Sequence, residues 1–158
     1  MTSPIKVRYE IDLTSWAPPS AHPTHRSLRP SDRDALAQLM LDAYIGTIDY
    51  EGETLADAIR EVDDWLAGSP MLEHSMAIVL HDGLVSAVLV MELDGAPSIA
   101  IVMTHPDEKK AGLGRSAVEA SLASVRQAGH RRVALYITNG NVASERLFAS
   151  VGAVRVEG

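Results

Sequence analysis

The middle of the chain carries the pattern that most restricts its fold. Three stretches rich in Val, Ile and Leu are separated by Asp-Gly pairs, a strong signal for a tight turn between antiparallel strands. The apolar spacing then becomes helical over residues 113–128 and returns to a strand pattern over 133–138. Strands joined through a helix in this way are parallel neighbours. The pattern predicts three antiparallel strands at 76–81, 84–92 and 98–104, with 98–104 and 133–138 forming a parallel pair.

The other segments complete the order β, α, α, β, β, β, α, β, α, β. Residues 5–13 alternate apolar and polar side chains as a strand does, whereas 15–25 contain several prolines and are typical of a linker. We therefore divide the chain into an N-terminal strand with its linker, residues 1–25, and one domain over residues 26–158.

Three positions carry helix N-cap signals. Ser31 is followed by Asp34 at the third position, and Thr54 is followed by Asp57 in the same way, which is the spacing of a capping box. Asn141 precedes the last apolar helical stripe. Each signal predicts a helix that begins at the next residue.

Composition limits the partners of the chain. Its 158 residues have a formal net charge of −7, so we expect no nucleic-acid partner. The absence of cysteine excludes disulfides, thiolate ligands and a cysteine nucleophile, and because the histidines lack metal-ligand spacing we expect no metal. No apolar stretch approaches the roughly 20 residues that span a bilayer, so we expect a cytoplasmic protein without membrane contact.

A glycine-rich loop precedes the helix of the crossover. Gly112 and Gly114 lie at its start, with Lys109, Lys110 and Arg115 beside them. Glycine amides at a helix N-terminus can approach a phosphate closely. The loop has neither the ribose-binding acid of a dinucleotide motif about 20 positions on nor the Gly-Lys-Ser/Thr of a P-loop. It predicts a pyrophosphate site of another kind, or else a plain turn with solvated lysines.

Two motifs resemble the GNAT superfamily of N-acetyltransferases. Residues 109–114, KKAGLG, resemble its coenzyme A pyrophosphate loop, Arg/Gln-x-x-Gly-x-Gly/Ala, and Pro106 precedes them by three residues. Residues 139–153, NGNVASERLFASVGA, resemble its second signature, N-x-x-A-x-x-L-Y-x-x-x-G-F, and the order of elements from Arg26 onward is similar. The resemblance implies an α/β (α+β) fold: a mixed, mostly antiparallel twisted sheet with helices on both faces and a central parallel strand pair.

The resemblance also implies an activity. An acetyl group would pass from acetyl-CoA, the expected cosubstrate, to a primary amine of a small molecule or peptide, by direct attack in a ternary complex. Backbone amides near Met103 and Thr104 would hold the oxyanion, and Asn141 would orient the cofactor. Dimers are common among such domains, so a homodimer is expected. The residues implied to bind coenzyme A are Val102, Met103, Thr104, Lys109, Lys110, Ala111, Gly112, Leu113, Gly114, Arg115, Asn141 and Phe148.

The chain departs from the family pattern at several points. Lys109 is a point charge where the family often has arginine or glutamine. Phe148 replaces the tyrosine that usually protonates the leaving thiolate, a contribution of at most about 10²–10⁴-fold to the rate.

The family continues through a last β-hairpin, and this chain ends about one strand short. We hypothesise that the strand at 5–13 fills the gap, in the same chain or in a partner. A coenzyme A-binding regulatory or interaction module with weak or lost catalysis stays open.

The catalytic candidates are Thr104, Asn141 and Glu92. The candidates for the general base are Glu92 at the end of a central strand, Asp94 in a turn, and Asp49 and Glu51 in the acidic segment 44–53, although a solvated surface carboxylate explains each of them as well. His105 directly follows the cofactor strand, and histidine is a common general base in enzymes, which makes His105 a further candidate.

The acceptor candidates lie in the acidic segment 44–53, where the family places the acceptor. Tyr44, Asp49 and Glu51 are the residues that we expect to bind it. Carboxylates there would suit a cationic amine, and surface solubility would explain the same charge.

Overall fold

The computed structural model of the chain describes residues 5–16, 24–47 and 50–156, apart from the side chains of Lys109 and Lys110. The linker predicted at 15–25 falls largely on 17–23, outside the described residues. The strands are β1 (Lys6–Asp12), β2 (His25–Ser27), β3 (Met76–Leu80), β4 (Gly83–Leu93), β5 (Ala96–Thr104), β6 (Arg132–Thr138) and β7 (Val154–Arg155). The α-helices are α1 (Arg33–Tyr44), α2 (Leu55–Ala67), α3 (Leu113–Gln127) and α4 (Val142–Ser150).

The strands form one mixed sheet in the order β2-β3-β4-β5-β6-β1-β7. Only β5 and β6 are parallel among these pairs of described strands, and α3 connects them as the crossover predicts. Alternate residues of β4 enter two separate cores: Val88 and Val90 pack with α3 and α4, whereas Ala87 and Leu89 pack with α1 and α2. The helices therefore cover both faces of the sheet, which confirms the predicted fold class.

The N-terminal strand lies inside the sheet. β1 pairs antiparallel with β6 from Lys6–Thr138 to Asp12–Arg132, and its other edge pairs with β7. Ile11 is only 1% exposed and joins the core under α3. β1 thus takes a place within the sheet of its own chain, between β6 and β7.

Two of the helix starts are confirmed and one is wrong. Thr54 accepts a hydrogen bond from the Asp57 amide in a capping box, and Asn141 accepts one from the Ser144 amide. Ser31 does not cap α1, which begins at Arg33 after a short 3₁₀ turn.

The start of α1 is set by an ion pair that spacing does not reveal. The Asp32 carboxylate accepts two bonds from the Arg26 guanidinium, at 2.8 and 2.9 Å, and one from the Arg29 amide. The Arg26 guanidinium is the main cause that lowers the pKa of this carboxyl. Because β2 carries Arg26, the ion pair connects β2 to the start of α1.

The hairpin turns follow the Asp-Gly signals with one shift. Asp94 and Gly95 both have positive φ, 55° and 80°, as a two-residue turn between β4 and β5 requires. Between β3 and β4 the positive φ values fall on His81 and Asp82, one residue earlier than the pair predicted. None of the described helices has the length and apolar character that crossing a bilayer requires.

Candidate functional site

A cleft opens where the two parallel strands separate. β5 and β6 pair only at Ser98–Ala134 and Ile99–Leu135 in the described sheet, and the rest of β5 pairs with β4 alone. The cleft between them has a volume of about 940 Å³. Val102, Met103 and Thr104, three of the predicted cofactor residues, line it. The edge of β5 towards β6 therefore presents backbone polar groups to a ligand rather than to a strand.

The N-terminus of α3 forms one end of this cleft. Gly112 caps the helix with φ 72°, a left-handed conformation that favours glycine. The amides of Leu113, Gly114 and Arg115 have no acceptor within α3, since the first turn of a helix lacks preceding carbonyls. Free amides and the positive end of the helix dipole suit a phosphate. The glycine loop therefore has the backbone arrangement that a pyrophosphate needs.

Gly114 approaches Thr104 too closely for any side chain. A Cβ at position 114 would lie 2.8 Å from Thr104 Oγ1. That hydroxyl is 2.9 Å from Ser86 Oγ, and Ser86 Oγ also donates to the Met103 carbonyl at 3.2 Å. Both hydroxyls are buried. The second glycine thus allows the helix N-terminus to meet the end of β5, so that phosphate loop and strand edge belong to one cleft.

The remaining loop residues divide between the cleft and the core. Gly112, Gly114 and Arg115 line the cleft, and the Arg115 guanidinium donates to Glu119 at 3.1 Å. Leu113 is buried in the core, and Ala111 is exposed and does not line the cleft. The side chains predicted for Lys109 and Lys110 lie outside the described residues.

Helix α4 supplies a further wall of the cleft. Asn141 lines the cleft, and its Oδ1 accepts the Ser144 amide at 3.2 Å as the cap of α4. Phe148 also lines the cleft but is only 5% exposed, because it packs into the core under α3 and α4. Phe148, at the position where a tyrosine was expected, therefore offers a ligand an apolar contact but cannot donate a proton.

Two of the predicted acceptor residues lie at the end of the cleft towards α1. Tyr44 and Glu51 line it, together with Thr47 and Tyr50. The Tyr50 hydroxyl donates to the Glu53 carbonyl at 3.3 Å. Asp49 lies outside the described residues.

Three charged residues of the cleft escaped the sequence prediction: Lys6 on β1, Glu53 before α2 and Glu61 on α2. Position 61 lies three residues after buried Ala58 and four before buried Trp65, so it borders the buried face of α2. From that spacing one could have predicted that Glu61 lies beside the packed face of α2 and lines the cleft. Lys6 carried no comparable signal because its place depends on the pairing of β1 with β6.

Two of the general-base candidates, Glu92 and His105, do not line the cleft, whereas a third, Glu51, does. Glu92 pairs with Pro97 at the start of β5, the opposite end from Thr104, and does not line the cleft. The His105 ring accepts the Asp107 amide at 3.2 Å in its own turn. The catalytic role of Glu92 and His105 thus stays a prediction from the sequence, without a place in the lining of the cleft. Within the described ranges no group of three histidine or carboxylate side chains could hold a metal ion.

A family model described as "Acetyltransferase (GNAT) domain" matches residues 24–154, most of the chain. The chain belongs to the GNAT acetyltransferase family. This confirms the resemblance inferred from the glycine loop and the residues around Asn141.

Known proteins agree in fold. A GCN5-related N-acetyltransferase from Sphaerobacter thermophilus superposes with a TM-score of 0.75 at 16% identity, covering 98% of this chain and 50% of that one. The paia N-acetyltransferase from Thermoplasma acidophilum, solved in complex with coenzyme A, gives a TM-score of 0.62 at 11% identity, covering 80% and 86%.

A curated relative matches a shorter segment. Mycothiol acetyltransferase from Thermobispora bispora is 39% identical over 57 residues, which are 36% of this chain and 19% of that protein. The chain thus matches about a fifth of this curated relative and half of the Sphaerobacter protein.

Proposed function

We propose that the chain transfers an acetyl group from acetyl-CoA to a primary amine, by direct attack of the amine on the thioester within a ternary complex. The observation that carries this proposal is the single cleft that joins the separated edges of β5 and β6 to the N-terminus of α3. Family membership supports the transferred group and the cosubstrate.

The residues of the cleft have distinct roles in this proposal. The amides from Gly112 to Arg115 would bind the pyrophosphate at the positive end of α3. Backbone amides on the free edge of β5, near Met103 and Thr104, would hold the developing oxyanion of the thioester carbonyl. Asn141 would contact the cofactor near the start of α4.

The leaving group needs little help from the protein. A thiol has an ordinary pKa of about 8.5, so its thiolate leaves readily near neutral pH. Phe148 cannot donate a proton, and solvent or the departing amine proton would serve instead. We therefore expect catalysis to survive the replacement of tyrosine at this position.

The first test is thermal denaturation with acetyl-CoA, using NADH as the control ligand. At a hundred times its dissociation constant a ligand adds about 2.7 kcal/mol to the free energy of unfolding. For a domain of this size the melting temperature should rise by roughly 5–11 °C. A rise with acetyl-CoA alone supports the site, and the absence of a rise would contradict it.

The second test is the release of free thiol from acetyl-CoA with four amine probes: propylamine, 1,4-diaminobutane, lysine and a short peptide with a free N-terminus. Amine-dependent release is the expected result. The buried Phe148 favours one other candidate, a module that binds coenzyme A for regulation. A melting-temperature rise without thiol release from any probe would favour that module.

A further inference from the structure

One face of the sheet stays open beside the cleft. The core under α1 and α2 contains residues of β3, β4 and β5 and, within the described ranges, none of β1, β6 or β7. On β1 and β6, Ile11, Val133 and Leu135 pack into the other core, under α3 and α4. Because side chains alternate along a strand, the residues between them project from the face that carries α1 and α2. The core on that face does not extend over them.

These side chains form one surface, which we call the open face. Arg8 lies directly opposite Tyr136, and Glu10 lies opposite Val154 of β7. Directly opposite residues of antiparallel strands share a face. Tyr136 is 44% exposed and Val154 is 67% exposed, so both present apolar surface to solvent. The open face consists of Arg8, Glu10, Asp12, Arg132, Tyr136 and Val154.

The open face begins at the wall of the cleft. Tyr136 belongs to both, and Lys6, two residues before Arg8 on the same face of β1, also lines the cleft. Neither Arg8 nor Arg132 lines it. Arg132 lies four residues before Tyr136 on β6, which is about 13 Å along the strand. A small amine fits within the cleft, whereas a ligand that contacts both arginines must extend out of it.

The sign of the charge changes between the cleft and the open face. Three carboxylates, those of Glu51, Glu53 and Glu61, line the cleft. On the open face, two guanidinium groups share one carboxylate. Arg8 donates to Glu10 at 3.1 Å, and Arg132 lies 3.8 Å from the other oxygen of the same carboxylate.

The two arginines keep donors for a ligand. Their side chains are 46% and 72% exposed, and each guanidinium has five N–H groups. The second carboxylate of the open face, Asp12, accepts the amide and the hydroxyl of Thr14. A ligand with a positive group at one end and negative groups further along would therefore match the charges of the cleft and of the open face in order.

We propose that the open face binds a polypeptide acceptor, whose amine enters the cleft and whose acidic side chains, a few residues further on, pair with Arg8 and Arg132. This inference rests on the proposed function and narrows the acceptor from any primary amine to that of an acidic polypeptide. An extended chain advances about 3.3–3.6 Å per residue. Carboxylates two to four residues after the amine would therefore lie about 7–14 Å from it, the range that the two arginines cover.

The test compares three pentapeptides with a free N-terminal alanine and an amidated C-terminus. Their third and fourth residues are Asp-Glu, Gln-Gln or Arg-Arg, and the assay is thiol release from acetyl-CoA. The acidic peptide should exceed the neutral one in kcat/KM by about 3–10-fold, the effect of two exposed ion pairs, and the basic peptide should be the poorest. The difference should lie in KM. It should shrink as NaCl rises from about 20 to about 300 mM, because salt screens exposed charges.

The double variant Arg8→Gln, Arg132→Gln should remove this preference. Its kcat/KM for the neutral peptide and its melting-temperature rise with acetyl-CoA should stay unchanged, because neither arginine lines the cleft. Each single variant should lose part of the preference. Arg155→Gln is the matched control: Arg155 lies on β7 opposite Tyr9, on the other face of the sheet, and its loss should leave the preference intact.

The outcomes separate the two proposals. If the wild type releases no thiol with any amine or peptide, the proposed function fails and the role of the open face fails with it. If the wild type is active but uses the three peptides equally, or uses free lysine as well as the acidic peptide, only the open face is overturned. A preference that survives in the double variant would overturn it too. A dimer of the wild type that the double variant dissociates, without any peptide preference, would assign the open face to a second copy of the chain instead.

Discussion

Gly114→Ala tests whether the contact between α3 and β5 is as tight as the structure places it. The new Cβ would lie 2.8 Å from Thr104 Oγ1, so one of the two must move. Thr104 can turn away only by giving up its buried hydrogen bond with Ser86. Breaking such a bond costs about 1–3 kcal/mol.

The gain from alanine is smaller than this cost. Alanine is favoured over glycine by about 1 kcal/mol in a helix interior, and position 114 is in the first turn of α3. We therefore expect Gly114→Ala to lower the free energy of unfolding by about 1–2 kcal/mol. For a domain of this size that corresponds to a melting temperature roughly 2–8 °C lower.

A double-mutant cycle in urea isolates the contact. Thr104→Ala removes Oγ1, while Ser86 keeps the Met103 carbonyl as acceptor. In that background Gly114→Ala should be neutral or slightly stabilising, because no atom remains for the Cβ to meet. Equal destabilisation in both backgrounds would refute the reasoning, since the loss would then come from elsewhere.

Three further predictions concern stability and are read by urea denaturation. Ile11→Ala should cost about 2–5 kcal/mol because Ile11 is buried in the core, whereas Ile5→Ala, at 70% exposure, should change little and serves as its control. Asp32→Asn should cost about 1–3 kcal/mol by leaving the Arg26 donors without their carboxylate. Burial lowers the pKa of His74 below its usual 6.5, so the unfolded chain binds more protons and stability should fall as pH drops below 6.5 towards the folded value. His74→Gln should reduce the difference in the free energy of unfolding between pH 7.5 and pH 5.5. An unchanged difference would show that His74 is not the cause of the pH dependence.

Local patterns were enough to predict much of the fold. The capping box of Thr54 and Asp57 depends on three consecutive peptide units, and the turn at Asp94-Gly95 depends on two residues that tolerate positive φ. The crossover through α3 also follows from the order of elements alone. The two GNAT-like motifs predicted the family, and the match of the family model confirms that prediction.

The features that sequence reasoning missed depend on long-range contacts. Asp32 replaces Ser31 in setting the start of α1 because Arg26, on another strand, holds its carboxylate. Lys6 reaches the cleft only because β1 pairs with β6 opposite Thr138. Glu92 looked suitable as a base at the end of a central strand, but the register of β4 against β5 puts that end opposite Pro97. The spacing of residues along one strand contains no information on which residues of the neighbouring strand will lie opposite them.

The place of β1 between β6 and β7 affects how the chain folds. Its pairing partners come more than a hundred residues later in the chain, so during synthesis β1 emerges long before either edge can be paired. Contacts between residues so far apart in the sequence slow folding, and a strand whose edges are unpaired is prone to aggregation. Charges alternate along this strand at Lys6, Arg8, Glu10 and Asp12. Charged residues in a strand act as gatekeepers against aggregation. The alternation of charged and apolar residues that predicts β1 as a strand therefore also lowers its tendency to aggregate before β6 is synthesised.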